Sequence, residues 1–296
     1  MNIGIIGGGS TGLLLSAYLS ENHTVTLYVH RKEQKEKIHN KQLHLFTYSK
    51  YDRTVSISVK LITELQQEDC LIICVKQPHI EHVLSYFKNI SDTTPLFFLQ
   101  NGMGHLELIK ELPQPVYVGV IEHGASRLSD YEVNHLGAGV IKLASFTGTQ
   151  TKLQLLIQEL HTNEFPFEQI GNWRSLLFDK LIINAVINPL TALFNIPNGS
   201  IIENKSIKFL AENLCKEAAD VLQVDFKTAW KRIVQTANNT RENTSSMRAD
   251  ILKRDKTEIE AISGYILKQV DSNEIPYTSF IYHSILALEK EGELYG

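Results

Sequence analysis

The sequence predicts an α/β fold in two parts, a doubly wound sheet over residues 1–170 and an all-helical domain over 171–296. Three observations predict it. Apolar strand-like runs alternate with helix-like segments through the first half, the pattern of a parallel sheet with crossover helices. A Gly-rich turn, Gly7-Gly-Gly9-Ser-Thr-Gly12, joins the first run to the first helix. After about Ile170 strand signals nearly vanish and a 3.6-residue period takes over, which places the boundary near Gly171.

The elements follow in order. Asn2–Gly7 is an apolar strand and Ser10–Ser20 an apolar-periodic helix. Thr24–Val29 is a second strand, and Leu43–Tyr48 and Thr54–Val59 are weaker ones. Asp69–Lys76 reads as a deeply buried strand, followed by a helix from Pro78 to about Phe87. Pro95–Asn101 is a strand with a helix from about Gly104, and Val116–Ala125 a further strand. Tyr131–His135 and Val140–Ala144, joined through Leu136-Gly-Ala-Gly139, read as a terminal hairpin. In the second half, Ile207, Leu210, Leu214, Ala218, Val221 and Leu222 mark one helix, and Ile259, Ile262, Ile266 and Val270 another.

Composition narrows the function. The chain has 296 residues, enough for two cores. A net charge of −4 gives no electrostatic reason to expect nucleic acid or an anionic membrane surface. No stretch approaches 18 uncharged apolar residues, so no membrane span is expected, and the N-terminus lacks the basic and apolar regions of a signal peptide. Cys70, Cys74 and Cys215 are odd in number and scattered, which fits buried thiols in a reducing cytoplasm. Cys70 and Cys74 are too far apart along one strand to share a metal, and no metal is expected.

Gly7, Gly8, Gly9, Ser10, Thr11 and Gly12 form a GxGxxG turn between a strand and a helix, the context that makes this pattern a dinucleotide loop rather than an idle Gly-rich turn. Gly7 allows the tight turn, Gly9 lets the backbone approach a pyrophosphate, and Gly12 lets helix and strand pack closely. The helix N-terminus adds N–H groups and positive dipole. At the end of the second strand an NAD site wants a carboxylate. Here the chain reads Val29-His30-Arg31-Lys32, with no acid, and two cations suited to a 2′-phosphate. NADP is therefore expected over NAD, unless Arg31 and Lys32 merely solvate a loop. Lys76, Asn101 and His123 end successive strands, the edge where open α/β sheets take ligands. His123 reads better as a capping or packing residue.

The second half carries a polar stripe. Lys180, Asn184 and Asn188 lie at i, i+4 and i+8 on one face of a helix otherwise built of Leu176, Leu177, Leu181, Ile182, Ile183, Val186 and Ile187. An ammonium and two carboxamides in such a helix need partners. Either a ligand supplies them, with Lys180 as a general acid, or Lys180 snorkels to water at a helix edge. Ser246 and Glu258 form the last cluster. On one straight helix they would stand about 18 Å and about 120° apart, so they can serve one site only if the helix breaks, with Asp255 or Thr257 capping a new one. Glu258 would then sit in a first turn, where complementing the helix dipole is the alternative role.

Together these residues resemble 2-dehydropantoate 2-reductase (ketopantoate reductase) over nearly the whole chain. The most specific piece runs from Lys180 through Asn184, Asn188 and Pro189 to Asn195-Ile-Pro-Asn198-Gly; Gln100-Asn101-Gly-Met-Gly, Ser245-Ser246-Met247 and Thr257-Glu258-Ile259 support it. The resemblance implies a Rossmann-type NADP-binding domain and a C-terminal domain like that of 6-phosphogluconate dehydrogenase. It implies Lys180 as proton donor to a ketone oxygen, with Asn101, Asn184, Asn188, Asn198 and Ser246 holding the substrate. Glu258 would support the lysine and contact the cofactor. Gly7–Gly12, Arg31, Lys76, Asn101 and Ala125 would contact NADP. Ser263 stands where the family often has asparagine, and the segment around Gly124-Ala125 varies among relatives, which bears on fine specificity.

The expected reaction is hydride transfer from NADPH to C2 of 2-dehydropantoate, with Lys180 protonating the former ketone oxygen to give pantoate. The asparagines would fix the substrate's orientation. Two alternatives stay open: a reductase of another branched 2-oxo acid or an imine, and a non-catalytic NADPH sensor on the same fold. The expected partner is a small molecule, not nucleic acid or membrane, in a cytoplasmic protein, and a homodimer is allowed but not dictated.

Overall fold

A computed structural model describes residues 1–294. The first part runs β1 (Asn2–Ile6), α1 (Ser10–Leu19), β2 (Thr24–Val29), α2 (Lys32–Lys41), β3 (Leu43–Thr47), β4 (Lys50–Val55), β5 (Ser58–Leu61), β6 (Cys70–Ile73) and α3 (Ile80–Leu84). It continues β7 (Leu96–Phe98), α4 (Leu106–Ile109), β8 (Val116–Ile121), β9 (Gly124–Arg127), β10 (Glu132–Gly137), β11 (Ile141–Ser145), α5 (Gln150–Leu160) and β12 (Phe167–Gln169). The helices α6 (Trp173–Phe194), α7 (Ser200–Glu203), α8 (Lys205–Leu222), α9 (Phe226–Asn239), α10 (Ser246–Lys253), α11 (Ile259–Leu267) and α12 (Pro276–Leu294) follow. The chain forms two compact units: Met1–Gln100 with Leu106–Leu176, and Asn101–His105 with the chain from Leu177 on.

The first unit holds an eight-stranded sheet in the order β12-β11-β8-β7-β6-β1-β2-β5. Its neighbours are parallel except for β11 against β8. The central strands β6 and β7 are buried throughout, as a sheet covered on both faces requires. The chain winds outward through β2 and β5 on one side of β1 and through β6, β7 and β8 on the other. The order reverses beside β1, and the carboxyl end of such a switch point is where open α/β sheets take ligands.

The sequence reading missed a second sheet. Four strands in the order β4-β3-β10-β9 form it, and α1 packs against β3, β9 and β10 as well as against β1 and β2 of the large sheet. An α1 buried from Gly12 to Leu19 is what a helix between two layers needs; Leu-Leu-Leu-Ser-Ala-Tyr-Leu has no polar face broad enough for water. The expected hairpin of Tyr131–His135 with Val140–Ala144 does not form. β10 pairs with β3 and β9, while β11 pairs with β8 and β12. The crossing squeezes past Glu122, where a Cβ on Gly139 would come within 2.4 Å of the Glu122 carbonyl carbon. His135 then fastens β10 to α1, its Nδ1 lying 2.7 Å from Tyr18 Oη.

Two expected strands divide between the sheets. Thr54–Val59 spans the end of β4 and the start of β5, and Val116–Ala125 breaks at Glu122-His123 into β8 and β9. The polar α2 was also missed, because only Gln34 and Ile38 of its ten residues are buried and its apolar period is almost silent.

The second unit is helical among the described residues. α8 packs on α9 and α12, and α11 on α12. α6 is long and apolar enough to cross a membrane by length and composition, with mean hydropathy 1.5 over its most apolar window. Of that window 72% is buried inside the protein, which accounts for the apolarity as core.

Candidate functional site

The glycine turn has the geometry of a phosphate cradle. Gly7 has φ +114° and donates its N–H to Tyr28 O at 2.9 Å, closing the turn onto β2. A Cβ on Gly12 would lie 1.8 Å from Gly7 O, so α1 can start this close to β1 only with glycine there. A Cβ on Gly9 would meet nothing within 4 Å, so the backbone borders open space. Gly9 caps α1 without a side-chain hydrogen bond, and Ser10 and Thr11 open the helix. Bare N–H groups, a helix N-terminus and an approachable backbone fit a pyrophosphate.

Around this turn the structure gathers basic groups. Arg31 caps the N-terminus of α2. Burial depresses the His30 pKa, and Arg31, His79, Arg127 and His82 lower it further, which places those basic groups in its field. Arg127 Nη1 donates to Gly8 O at 3.4 Å. Lys76 is exposed three residues past β6, and Ala125 lies in β9 beside His135. Lys32 instead reaches Glu36, 3.8 Å away along α2.

No acid stands in Val29–Lys32 at the end of β2, but Arg31 meets one from a distant turn. Asp130, in the β9–β10 turn, hydrogen-bonds Arg31 Nη2 through Oδ1 and takes Lys37 Nζ at 2.9 Å through Oδ2. Burial works to raise its pKa, but the hydrogen bonds and charges of Arg31 and Lys37 outweigh that and hold the carboxyl below its usual range. Gln34, buried in α2, fixes the turn: Nε2 donates to Gly8 O at 2.8 Å and to Asp130 O at 3.0 Å. Sequence reasoning missed both residues, because Asp130 lies 99 positions from Arg31.

His123 has a packing role. It is buried, stacks on Phe165 at 4.3 Å, and accepts from Gly139 N–H at Nδ1. That makes Nδ1 an acceptor, so His135 Nε2, 3.1 Å away, is the donor, and His135 Nδ1 is left to accept from Tyr18. Burial, helped by His135, pushes the His123 pKa down to about 4.

In the second unit the polar stripe is real. Lys180 is half-buried on α6, while Asn184 and Asn188 are 6% and 7% exposed amid apolar neighbours. Asn188 Nδ2 donates to Ser246 Oγ at 3.4 Å. One turn on, the Thr191 and Ser245 hydroxyls lie 2.7 Å apart, and Ser245 caps α10 by accepting from Arg248 N at 3.1 Å. The start of α10 is thereby docked on α6. Asn198 is engaged elsewhere: its Nδ2 donates to Thr240 Oγ1 at 2.9 Å, while its buried Oδ1 has no partner.

The break between Ser246 and Glu258 is present. Arg254 takes φ +58° and ends α10, and Glu258 sits at the N-cap of α11 rather than in its first turn. Thr257 Oγ1 accepts from Ile259 N at 3.2 Å, and Thr257 N donates to Glu289 Oε1 at 2.7 Å. Glu258 Oε2 accepts from Asn101 Nδ2 at 3.0 Å. Asn101 thus belongs to the second unit although it follows a strand of the first. Gly102, with φ +74°, presses so closely on α11 that a Cβ would lie 2.3 Å from Ala261 O, and Met103 N donates to that oxygen at 3.2 Å. Ser263 in α11 is fully buried with an unpartnered hydroxyl. A cavity of about 250 Å³ between α10, α11 and α12, bordered by Arg254, Asp255, Lys256, Glu260, Glu289 and Lys290, includes none of the expected site residues.

Known proteins match this chain in sequence and fold. The pattern of "Ketopantoate reductase PanE/ApbA" fits residues 3–148, and that of its C-terminal part fits residues 172–289. The 2-dehydropantoate 2-reductase of Bacillus subtilis (strain 168) is 37% identical, over 98% of each chain. A crystal structure of the probable 2-dehydropantoate 2-reductase panE from Bacillus subtilis superposes with TM-score 0.87 at 37% identity, covering 97% of this chain and 100% of that one. A ternary structure of D-mandelate dehydrogenase with NADH and anilino(oxo)acetate shares the fold at TM-score 0.92 and 21% identity, over 99% of this chain and 100% of that one. With both parts matched in order across a Rossmann-type unit and a helical unit, the chain belongs to the ketopantoate reductase PanE/ApbA family of oxidoreductases.

Proposed function

We propose that the protein reduces 2-dehydropantoate to pantoate with NADPH, the reduction that serves pantothenate and coenzyme A biosynthesis. The observation that carries the reading is the buried polar face of α6, where Asn184 and Asn188 follow Lys180 and Asn188 reaches Ser246. The printed names of the 37%-identical Bacillus subtilis relatives support the substrate.

The first unit is assigned to the cofactor, through Gly7–Gly12, Arg31, Lys76 and Ala125. When bound, the reduced nicotinamide supplies a hydride to C2 of the 2-oxo acid. Lys180 stabilises the negative charge that develops on the former ketone oxygen and gives it a proton. Asn184, Asn188 and Ser246, with Asn101 and Asn198, hold the carboxylate and hydroxyl groups and so fix the orientation of C2. Glu258, held by Asn101, supports the ammonium of Lys180 and contacts the cofactor.

The test is the loss of reduced-nicotinamide absorbance with 2-dehydropantoate, with NADH and 2-oxoisovalerate as parallel controls. Rapid turnover preferring NADPH and 2-dehydropantoate is the expected result. NADPH binding without turnover of 2-dehydropantoate would overturn the substrate assignment and leave the cofactor assignment standing.

A further inference from the structure

The Arg31 guanidinium, read as the partner of a 2′-phosphate, already holds a carboxylate. Its side chain is 37% exposed, whereas that of Asp130 is 11% exposed. The cation is therefore the more reachable of the pair by a ligand. Asp130 cannot easily swing away. Both its oxygens are engaged, and its backbone carbonyl is tied through buried Gln34 to Gly8 of the phosphate turn. Arg31 has five N–H donors and can serve Asp130 and a ligand together.

We propose that Asp130 is a specificity-determining residue of the cofactor site: its carboxylate opposes a 2′-phosphate at Arg31 and accommodates a free 2′-hydroxyl, so it limits discrimination against NADH. The inference rests on the reading of Gly7–Gly12 and Arg31 as the cofactor site. A 2′-phosphate is close to dianionic at neutral pH and must share Arg31 with a fixed negative charge, whereas an adenosine ribose with a free hydroxyl brings no charge to repel. The carboxylate thus brings to Arg31, from a distant turn, a negative charge of the kind that NAD sites carry at the end of the second strand. A fixed anion a few ångströms from a partly exposed site changes the affinity for a dianion by about ten-fold, and salt reduces the effect.

The experiment measures Kd for NADPH and for NADH on the full chain, at low and high salt, in the wild type, Asp130→Asn, Asp130→Ser and Arg31→Ala. Asn keeps the shape and an acceptor and removes only the charge. The expected result is that NADPH binds about ten-fold more tightly to Asp130→Asn while NADH changes by less than about two-fold. The gain shrinks in high salt, and Asp130→Ser repeats it if the Asn variant folds poorly. The NADH value reports any general damage to the site, so the ratio isolates the charge. An unchanged or lowered NADPH preference in both Asp130 variants, with NADPH binding still dependent on Arg31, overturns the inference alone. Wild-type protein that binds neither cofactor, or NADPH binding that ignores Arg31→Ala, overturns the cofactor reading and the inference with it.

Discussion

Replacing Gly9 by alanine separates cofactor binding from folding at one atom. Gly9 has φ −81° and ψ −174°, extended backbone that alanine adopts without strain, and a Cβ there meets nothing within 4 Å. Alanine is a poorer N-cap than glycine by some tenths of a kcal/mol, but it also lowers the entropy of the unfolded chain by about 0.4–1 kcal/mol. Stability should therefore stay within about 0.5 kcal/mol of wild type. On the proposed cofactor reading, the open space beside Gly9 is where the backbone meets a pyrophosphate, and a methyl group there would displace it from its N–H donors. Losing one or two charge-assisted hydrogen bonds costs about 2–4 kcal/mol, roughly a 30- to 1,000-fold rise in the Kd for NADPH. Urea denaturation and NADPH titration of the same preparation make the assay. Gly12→Ala is the contrast, because its Cβ would overlap Gly7 O at 1.8 Å and must disturb the fold itself. Unchanged NADPH affinity in Gly9→Ala would refute the cradle argument, and a large loss of stability would refute the reading of that space as open.

Other outcomes follow from the same geometry. Lys180→Ala should lower kcat by roughly 1,000-fold with little change in NADPH affinity, measured by steady-state kinetics beside titration; undiminished turnover would remove Lys180 as proton donor. Gly102→Ala should destabilise by about 2–4 kcal/mol in urea melts. It forces a left-handed φ on alanine and drives its Cβ against Ala261 O, breaking the Met103 and Asn101 contacts to α11. Stability should also fall in mild acid. Burial, with His135 adding to it at His123, holds His105 and His123 neutral, with pKa values of about 4 against 6.5 for the free side chain. The unfolded chain therefore takes up protons first. Each histidine's contribution is whole above about pH 6.5 and is lost towards pH 4, at up to about 1.4 kcal/mol per pH unit. Denaturation midpoints between neutral pH and about pH 5 test this, and His123→Gln should flatten the slope.

The local chemistry was legible without coordinates. A GxGxxG turn is set by neighbours in the chain, because φ of Gly7 and the Gly7–Gly12 contact involve six consecutive residues. The stripe of Lys180, Asn184 and Asn188 follows from helical period alone. The alternation of buried strands and helices in the first half likewise needs only patterning, and the break before Glu258 was readable as a polar stretch with capping residues.

Pairing was not legible, because a strand's pattern says which face is buried but not which strand lies beside it. β10 looked like one arm of a local hairpin. Only the tertiary structure turns it away from β11 to β3 and β9, where it packs on α1, and so creates the second sheet. The same separation hides the ionic partners. Asp130 meets Arg31 across 99 residues and Asn101 meets Glu258 across 157, distances over which no spacing rule operates. The sequence by itself determined the fold class, the Gly-rich turn and the polar face of α6, since each depends on contacts within a turn or two of chain. The tertiary structure alone decided which charges face Arg31 and which loop holds Glu258, because those contacts exist only once distant segments are brought to one place.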